Sequence, residues 1–387
     1  MKWFSFSTTP DLIIIYILGL KLKFKRLIDR RKYAKFMNHV IKPRTILIVE
    51  LNNCHFETIP GFAKYLIDLG YNVDILTRFY SNRAFDALNF NNALQVFEAN
   101  EATFDKIVNN YNFGRYERIF YNSKRIYKRI RFKQREGGID VAEYFKVVPR
   151  GIKDNIYVQH HIDKFYDRQE PNQIILANPA KLATLAKHVV NPHYFGEFKI
   201  KTVKNQDIVN FISIGNITNA RRNTNLAIEA AKQLLDLGYH NFKLTIIGRG
   251  KLDHIDPLVK QHLEILGRVD YQSLFKALTR ADFILPLLDP IIKEHQRYQN
   301  AATSGTFQLV YGFLKPHVIH QTFAAVFNFS ADNSVIYRDN AELASAMIRC
   351  MQMPQEAYLA KQQALNQLVQ AIEKESIDNL LGMLGHY

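Results

Sequence analysis

Cysteine and long apolar runs are scarce in this chain of 387 residues. Cys54 and Cys350 are its two cysteines, which argues against a disulfide framework or a thiolate-rich zinc site and fits a reducing compartment. The apolar run from Leu12 to Leu20 is shorter than the roughly 20 residues that a membrane-spanning helix needs. No small-residue cleavage site accompanies that run, so a signal peptide is not expected either. A hydrophobic content of 47% and a charged content of 22% are those of a folded globular protein.

Several motifs that carry chemistry are also absent. Neither a G-x-G-x-x-G turn after the first strand nor a Walker A loop is found, which weakens dehydrogenase and NTPase interpretations. The nearest approach to a metal cluster is His160-His161 with Asp163. Adjacent residues on a strand point to opposite faces, so we expect no metal there. No internal repeat and no low-complexity segment is visible.

Positive charge is abundant, with a net charge of +15 at pH 7. Such a charge attracts nucleic acids, anionic membranes and phosphorylated substrates. The basic residues gather in two runs: Lys21, Lys23, Lys25, Arg26, Arg30, Arg31, Lys32 and Lys35, then Lys124, Arg125, Lys128, Arg129, Arg131, Lys133 and Arg135. The stretch KLKFKRLIDRRKYAKF suits a helix lying on an anionic leaflet. The alternative is a surface helix of a soluble domain with a solvated basic face.

Strand and helix patterns alternate along most of the chain, which predicts parallel sheets and an α/β fold. Residues 1–42 form a basic leader, and Pro43 interrupts any helix there. We expect two doubly wound domains, residues 43–200 and 201–354, facing each other across a cleft. The tail, residues 355–387, is expected to be a helix that packs back on the N-terminal domain. The predicted strands of the second domain are VNFISIGN, FKLTIIG, LEILG, FILPLL, HVI and AAVFNF.

Glycines, arginines and hydroxyl residues recur where these strands end. Ligands of open α/β sheets bind outside the carboxyl ends of the strands, where helix N-termini attract anions. Each feature taken singly is more often a turn or a helix cap. Their recurrence in one domain predicts a site for a phosphorylated ligand. The candidates are Gly215, Asn216, Arg221, Arg222, Gly248, Arg249, Thr303, Ser304, Gly305 and Thr306.

The order strand–Gly–Arg–helix, IIGRG, LEILGRVDYQSLFKALTRADFILPLL and TSGTFQLVYGFLKPHVI resembles the donor-binding domain of GT-B fold glycosyltransferases. The closest likeness is to bacterial enzymes that build lipopolysaccharide, capsule or exopolysaccharide. The likeness covers Phe211 to Met351 well and the first domain more weakly. It implies two Rossmann-like domains, a nucleotide-sugar donor, UDP- or GDP-linked, and no metal or other cofactor.

The resemblance also implies roles for particular residues. Arg222 and Arg221 are expected to hold the donor diphosphate, and the Ser304-Gly305 helix start matches where backbone amides meet the phosphates. Glu294 and Tyr298 are expected to reach the nucleoside or the sugar. Many retaining members carry a second glutamate, but Ala302 stands where the partner of Glu294 would be. The stereochemical course therefore stays open.

An inverting enzyme needs a general base from the N-terminal domain. His55 and Glu57, in the loop after the first strand, are the first candidates, and Asp163 with its neighbouring histidines is the second. Ordinary loop and helix-start roles for His55 and Glu57 stay open.

The resulting expectation is a cytoplasmic glycosyltransferase, peripheral on the inner face of the cell membrane. It would transfer a hexose from a nucleotide sugar to a glycan or glycolipid acceptor at an anionic membrane surface. No nucleic-acid partner is expected. Two alternatives stay open: a nucleic-acid-binding protein that uses the basic runs, and a non-catalytic GT-B relative that serves as a partner subunit.

Overall fold

The computed structural model describes residues 4–8, 12–17, 20–25, 27–50, 55–78, 82–122, 129–134, 140–145, 155–160, 172–176, 188–218, 220–252, 254–300 and 302–385. The chain divides into two compact units. The first comprises Met1–Phe85, Asn89–Gln159 and Glu170–Ile174, and the second comprises Asp86–Leu88, His160–Gln169 and Ile175–Tyr387. Within the described residues, no helix has the length and apolar character needed to cross a membrane.

The leader begins with a small antiparallel sheet, which corrects the predicted helix over this stretch. Its strands, in the order β1-β2-β3, are β1 (Phe4–Thr8), β2 (Leu12–Ile17) and β3 (Leu20–Lys25). The physical reason lies in the residues. LIIIYI is rich in β-branched isoleucine, and LKLKFK alternates apolar and basic residues with the two-residue period of a strand.

A helix follows only in the second part of the leader, at α1 (Arg30–Met37). Asp29 caps its N-terminus by accepting hydrogen bonds from the amides of Arg31 and Lys32, both at 3.1 Å. Phe36 is fully buried and meets Phe97 edge to face, with ring centroids 5.0 Å apart. Therefore α1 belongs to the core of the first unit.

The largest sheet has the strand order β12-β11-β10-β7-β4-β5-β6. Its described registers are parallel, as the βαβ pattern predicts. The strands are β4 (Thr45–Glu50), β5 (Asn72–Arg78), β6 (Leu94–Ala99), β7 (Arg118–Tyr121), β10 (Ile156–Gln159), β11 (Gln173–Leu176) and β12 (Val189–Val190). The crossover helices are α2 (Ile59–Asp68) and α3 (Glu101–Asn110).

Part of the second basic run lies in an antiparallel pair, β8 (Arg129–Gln134) with β9 (Asp140–Phe145). Lys124, Arg125, Lys128 and Arg135 lie outside the described residues, as does the helix predicted between β11 and β12.

The second unit contains a four-stranded parallel sheet in the order β15-β14-β13-β16 and a parallel pair, β17 with β18. The strands are β13 (Val209–Ile214), β14 (Phe242–Ile247), β15 (Leu263–Gly267), β16 (Phe283–Ile284), β17 (Val318–His320) and β18 (Val335–Tyr337). The helices are α4 (Thr224–Asp236), α5 (Pro257–Gln261), α6 (Tyr271–Arg280), α7 (Lys293–Asn300), α8 (Gly305–Phe313), α9 (Gln321–Val326), α10 (Leu343–Met351) and α11 (Gln355–Leu384).

Helices cover both faces of the four-stranded sheet. Phe211 belongs to one core cluster together with residues of α4 and α10, whereas its neighbour Ile212 belongs to a second cluster with residues of α6, α8 and α9. Successive residues of β13 thus face opposite layers. This arrangement is the predicted doubly wound α/β architecture.

The segment AAVFNF is not the strand that its apolar residues predict. Its first three residues lie in helix α9, and the strand comes later, at β18. His320 caps α9, since its Nδ1 accepts a hydrogen bond from the amide of Thr322 at 3.2 Å. Asn328 then adopts a positive φ of 59° as the chain leaves the helix. A local cap and a helix-forming alanine pair decided the structure of this short run.

Helix α11 confirms the helical tail, and its amides bind the chain that precedes β13. Gln362 Nε2 donates to the carbonyl oxygen of Lys201 at 2.8 Å. Gln355 Nε2 donates to Thr202 O at 2.8 Å, and Asn379 Nδ2 donates to Val189 O at 2.8 Å. The first two bonds satisfy backbone carbonyls of the irregular segment before β13, and the third satisfies a carbonyl of strand β12.

Candidate functional site: the carboxyl edge of the four-stranded sheet

Three glycines stand where β13, β14 and β15 end. The amide of Gly215 donates to Ile247 O at 2.9 Å, and that of Gly248 donates to Gly267 O at 2.9 Å. A Cβ atom on Gly248 would lie 1.7 Å from Gly215 O, so only glycine fits there. The turns after the strands therefore pack backbone against backbone and bring the loops that follow them to one edge.

Arg222 connects the loop after β13 to the start of α8. Its Nη2 donates to Ser304 Oγ at 3.0 Å and to Thr306 Oγ1 at 2.8 Å. Its Nε donates to Ile214 O at 3.0 Å, and its Nη1 donates to Arg221 O at 2.6 Å. Residues more than 80 positions apart in sequence thus meet around one guanidinium.

The charge of Arg222 is buried, with 8% of the residue exposed. Burial lowers the pKa of its guanidinium, and contact with the Tyr298 hydroxyl partly opposes that change. Carbonyl and hydroxyl oxygens surround the group, and no carboxylate is found among its partners in the described part of the chain. A buried cation held by neutral groups is well placed to bind an anion.

The N-terminus of α8 adds to this positive field. Ser304 is its N-cap, and the Ser304 Oγ accepts a hydrogen bond from the amide of Thr306 at 3.3 Å. Gly305 is the first helical residue and is exposed, and Thr303 is half-buried. The free amides at a helix start and the helix dipole both favour an anion. Because Arg222 touches this helix start, the structure brings Arg222, Ser304 and Thr306 into one cluster, named here the α8 cradle.

The other predicted arginines lie exposed at the same edge. Arg221 precedes the start of α4, and Arg249 follows β14. Arg268 follows β15 in the same way and is also exposed, although the sequence did not single it out. The repeated Gly-Arg pair, in IIGRG and ILGR, was the available signal. Side chains of these arginines can fork hydrogen bonds to phosphate oxygens.

Of the remaining donor-site candidates, one contacts Arg222 and two are exposed. Tyr298 lies buried in α7 and contacts Arg222. Glu294 stands exposed in the first turn of α7, and no described contact ties it to the α8 cradle. Asn216 is exposed, next to Ile217, which bridges to Gly250.

Asp289, which the sequence analysis missed, orders the start of α4. Its Oδ2 accepts hydrogen bonds from Asn223 Nδ2 at 2.7 Å and from Asn340 Nδ2 at 2.8 Å. Asn223 in turn caps α4 by accepting from the amide of Leu226 at 3.2 Å. The hint in the sequence was a carboxylate that stands directly after the predicted strand FILPLL.

The first base candidates, His55 and Glu57, belong to the first unit, whereas His160, His161 and Asp163 fall in the second. His55 Nδ1 lies 3.7 Å from Glu57 Oε1, and both side chains are partly exposed. Asp163 and His161 lie outside the described residues, and His160 is buried. No group of three or more His, Cys, Asp or Glu able to hold a metal ion is found in the described ranges.

Known structures share the architecture. The chain is similar to WaaG, a glycosyltransferase involved in lipopolysaccharide biosynthesis, with a TM-score of 0.50 and 10% identity over 87% of this chain and 100% of that one. It is similar to HepE from Anabaena, solved in complex with UDP, with a TM-score of 0.51 and 12% identity over 88% and 100% of the two chains. It is also similar to a glycosyltransferase from Rickettsia africae, with a TM-score of 0.52 and 13% identity over 88% of this chain and 97% of that one.

No protein-family model and no curated protein matches the sequence. At identities of 10–13%, the likeness to solved structures establishes the fold. The chain has the GT-B fold of its glycosyltransferase neighbours, with two Rossmann-like α/β units and a C-terminal helix, as the sequence predicted. These neighbours lend no support to the nucleic-acid-binding alternative.

Proposed function

We propose that this protein is a glycosyltransferase that moves a sugar from a nucleotide-sugar donor to a glycan or glycolipid acceptor. The observation that supports the proposal best is the α8 cradle. It places the buried cation of Arg222 against a helix start, at the edge of the sheet where α/β proteins bind ligands. The negative charge of a diphosphate complements this cation and the positive end of the helix dipole.

The donor is proposed to be a UDP- or GDP-linked hexose, used without a metal ion. The leaving diphosphate carries negative charge that must be stabilised in the transition state. Arg221, Arg249 and the α8 cradle would supply that stabilisation through hydrogen bonds and the helix dipole. The complex of HepE with UDP supports a uridine nucleotide as the first candidate.

The acceptor is proposed to lie at an anionic membrane surface, as expected for a bacterial lipopolysaccharide or polysaccharide enzyme on the cytoplasmic side. Around α1, Leu27 is 88% exposed and Val40 is 79% exposed. Arg30 and Arg31 stand exposed beside Leu27. Exposed apolar residues next to arginines suit a surface that touches anionic lipid.

A nucleotide panel tests the proposal. Nucleotides that bind the folded protein raise its unfolding temperature. We expect UDP or GDP and one of their sugar conjugates to stabilise the wild type, whereas uridine and guanosine do not. In Arg221→Ala and in Arg249→Ala, about ten times more nucleotide should be needed for the same rise in unfolding temperature, because each substitution removes a charge-assisted hydrogen bond. Release of UDP or GDP in the presence of acceptor glycolipids then measures transfer.

The control is Arg280→Ala. Arg280 is exposed at the end of α6, and it precedes the amino end of β16, whereas the proposed site lies at the carboxyl ends of the strands. It should respond to nucleotides as the wild type does. If no nucleotide raises the unfolding temperature of the wild type, the proposal is rejected. Stabilisation without any sugar transfer, over a broad range of acceptors, would favour the non-catalytic partner subunit.

A further inference from the structure

His55 has an unusual backbone conformation. Its φ of 69° and ψ of 16° are left-handed, a region that residues other than glycine seldom adopt. It stands directly before a short 3-10 turn, Phe56–Thr58, which leads into α2. Such conformations persist where the surroundings hold them, and they concentrate at functional sites.

Asn122 holds the backbone of His55 from the neighbouring strand. Asn122 follows β7, and its Nδ2 donates to the carbonyl oxygen of His55 at 2.9 Å. The same amide donates to Glu50 Oε2, at the end of β4, at 2.7 Å. Asn122 and Glu50 are both fully buried. The buried carboxylate therefore fixes the amide that fixes His55.

Thr58 completes the contacts around the same carbonyl. Its Oγ1 lies 2.8 Å from His55 O and 2.8 Å from Asn122 Oδ1, so its single proton can be donated to either oxygen. Its backbone amide donates to His55 O at 3.3 Å. The side chains of Asn122, Glu50 and Thr58 together are named here the His55 clamp.

The His55 clamp leaves the imidazole accessible. The side chain of His55 is 29% exposed and that of Glu57 is 25% exposed, with 3.7 Å between Nδ1 and Oε1. If Nδ1 carries its proton toward the carboxylate, Nε2 carries no hydrogen and is the nitrogen that can accept a proton. A carboxylate at this distance stabilises the imidazolium that forms when Nε2 takes up a proton.

We propose that Asn122, braced by Glu50, is a positioning residue that holds His55 for proton transfer from the acceptor hydroxyl. This inference rests on the proposed function. In the reaction, the hydroxyl proton passes to Nε2 of His55 while the acceptor oxygen bonds to the anomeric carbon of the sugar. The bond from that carbon to the diphosphate oxygen breaks, and the diphosphate leaves with the electron pair.

A double-mutant cycle on the full chain tests this role. Asn122→Ala should lower kcat tenfold to a hundredfold, because the imidazole is no longer held, and should leave the donor KM within about twofold. His55→Ala should lower kcat at least as much. The double variant should be no slower than His55→Ala, because Asn122 acts through His55.

Two further variants bracket the result. Thr58→Val keeps the shape of the residue and removes one hydroxyl, so its kcat should fall less than that of Asn122→Ala. If Asn122→Ala does not fold, Thr58→Val tests the positioning role in its place. Asn72→Ala is the matched control. Its side chain also donates to a backbone carbonyl, that of Pro43 at 2.9 Å, but where β5 begins. It should keep the wild-type kcat.

Wild-type kcat in Asn122→Ala and Thr58→Val, or a further loss when Asn122→Ala is added to His55→Ala, would overturn the positioning role. Crystal structures of the wild type and Asn122→Ala give a readout that does not depend on activity. We expect His55 to leave the left-handed region in the variant. A φ that stays near 69° there would also overturn the role. A wild type that transfers no sugar would instead reject the proposed function alone.

Discussion

At the scale of single residues, burial decides the behaviour of the charged and titratable groups. Among the described residues, neutral oxygens surround Arg222, and none of its partners is the carboxylate that usually accompanies a buried cation. A bound diphosphate would supply that missing negative charge. The sequence predicted which residue would carry the charge. The sequence could not predict the hydrogen bonds from the Arg222 guanidinium to Ser304 and Thr306, because these residues lie more than 80 positions away in the chain.

His317 gives a residue-scale prediction on stability. It is fully buried, its ring centroid lies 4.1 Å from that of Phe329, and burial lowers its pKa to about 3 from the usual 6.5. The folded state therefore disfavours the proton that the unfolded chain binds below pH 6.5. Stability from this residue is present above pH 6.5 and is lost as the pH falls toward 3, by about 2 kcal/mol between pH 7 and pH 5.

Urea unfolding at several pH values checks that prediction. In His317→Phe the free energy of unfolding should fall about 2 kcal/mol less than in the wild type between pH 7 and pH 5. The control His240→Phe replaces an exposed histidine and should follow the wild type. Parallel curves for wild type and His317→Phe would contradict the assignment.

At the scale of elements, the sequence predicted most strands and helices, including the short strands β7 and β17, but it was wrong for the first part of the leader and for AAVFNF. The alternation from β4 to α3 and from β13 to α6 is confirmed because each strand and helix carries its own apolar period. The short run AAVFNF carries too few residues for a period, and its cap decided its structure. In the leader, the residues of β3 alternate between apolar and basic, as a strand requires. The sequence prediction was wrong there because the mixture of aromatic and basic residues also suits a helix on a membrane surface.

The leader also carries the element-scale prediction on membranes. If its basic face touches anionic lipid, the charge reversal Arg30→Glu/Arg31→Glu should weaken binding to phosphatidylglycerol vesicles about thirtyfold or more, at about 1 kcal/mol per basic residue. Both residues are exposed, and acidic residues suit the first turn of α1. Vesicle flotation measures the bound fraction. The control Lys232→Glu/Lys276→Glu changes exposed lysines of α4 and α6 and should bind normally.

Equal flotation of the leader variant and the control would remove the leader from the membrane proposal. Equal binding to neutral and anionic vesicles would show that the positive charge plays no part.

At the scale of the whole molecule, the GT-B fold could be predicted because motif order survives where sequence identity does not. Solved neighbours share 10–13% of residues with this chain and still share its architecture. The details of both sites could not be predicted in the same way. The pairs Arg222–Ser304 and Asn122–His55 join distant parts of the sequence through buried contacts, which no local pattern records.

The central claim is that the α8 cradle binds the diphosphate of a nucleotide, and one substitution isolates it. Gly305→Pro removes an amide donor at the first helical position, where proline is well tolerated. Ser304 already has the extended backbone that a residue before proline requires, with φ −103° and ψ 129°. Gly305→Ala keeps the amide, and its Cβ meets nothing within 4 Å.

Calorimetric titration of UDP and of GDP into the wild type, Gly305→Ala and Gly305→Pro is therefore the most direct measurement. We predict that the wild type binds at least one of the two, that Gly305→Ala binds it within about threefold, and that Gly305→Pro binds it at least tenfold more weakly. Equal affinity of Gly305→Pro and Gly305→Ala, or no binding of either nucleotide to the wild type, would contradict the account.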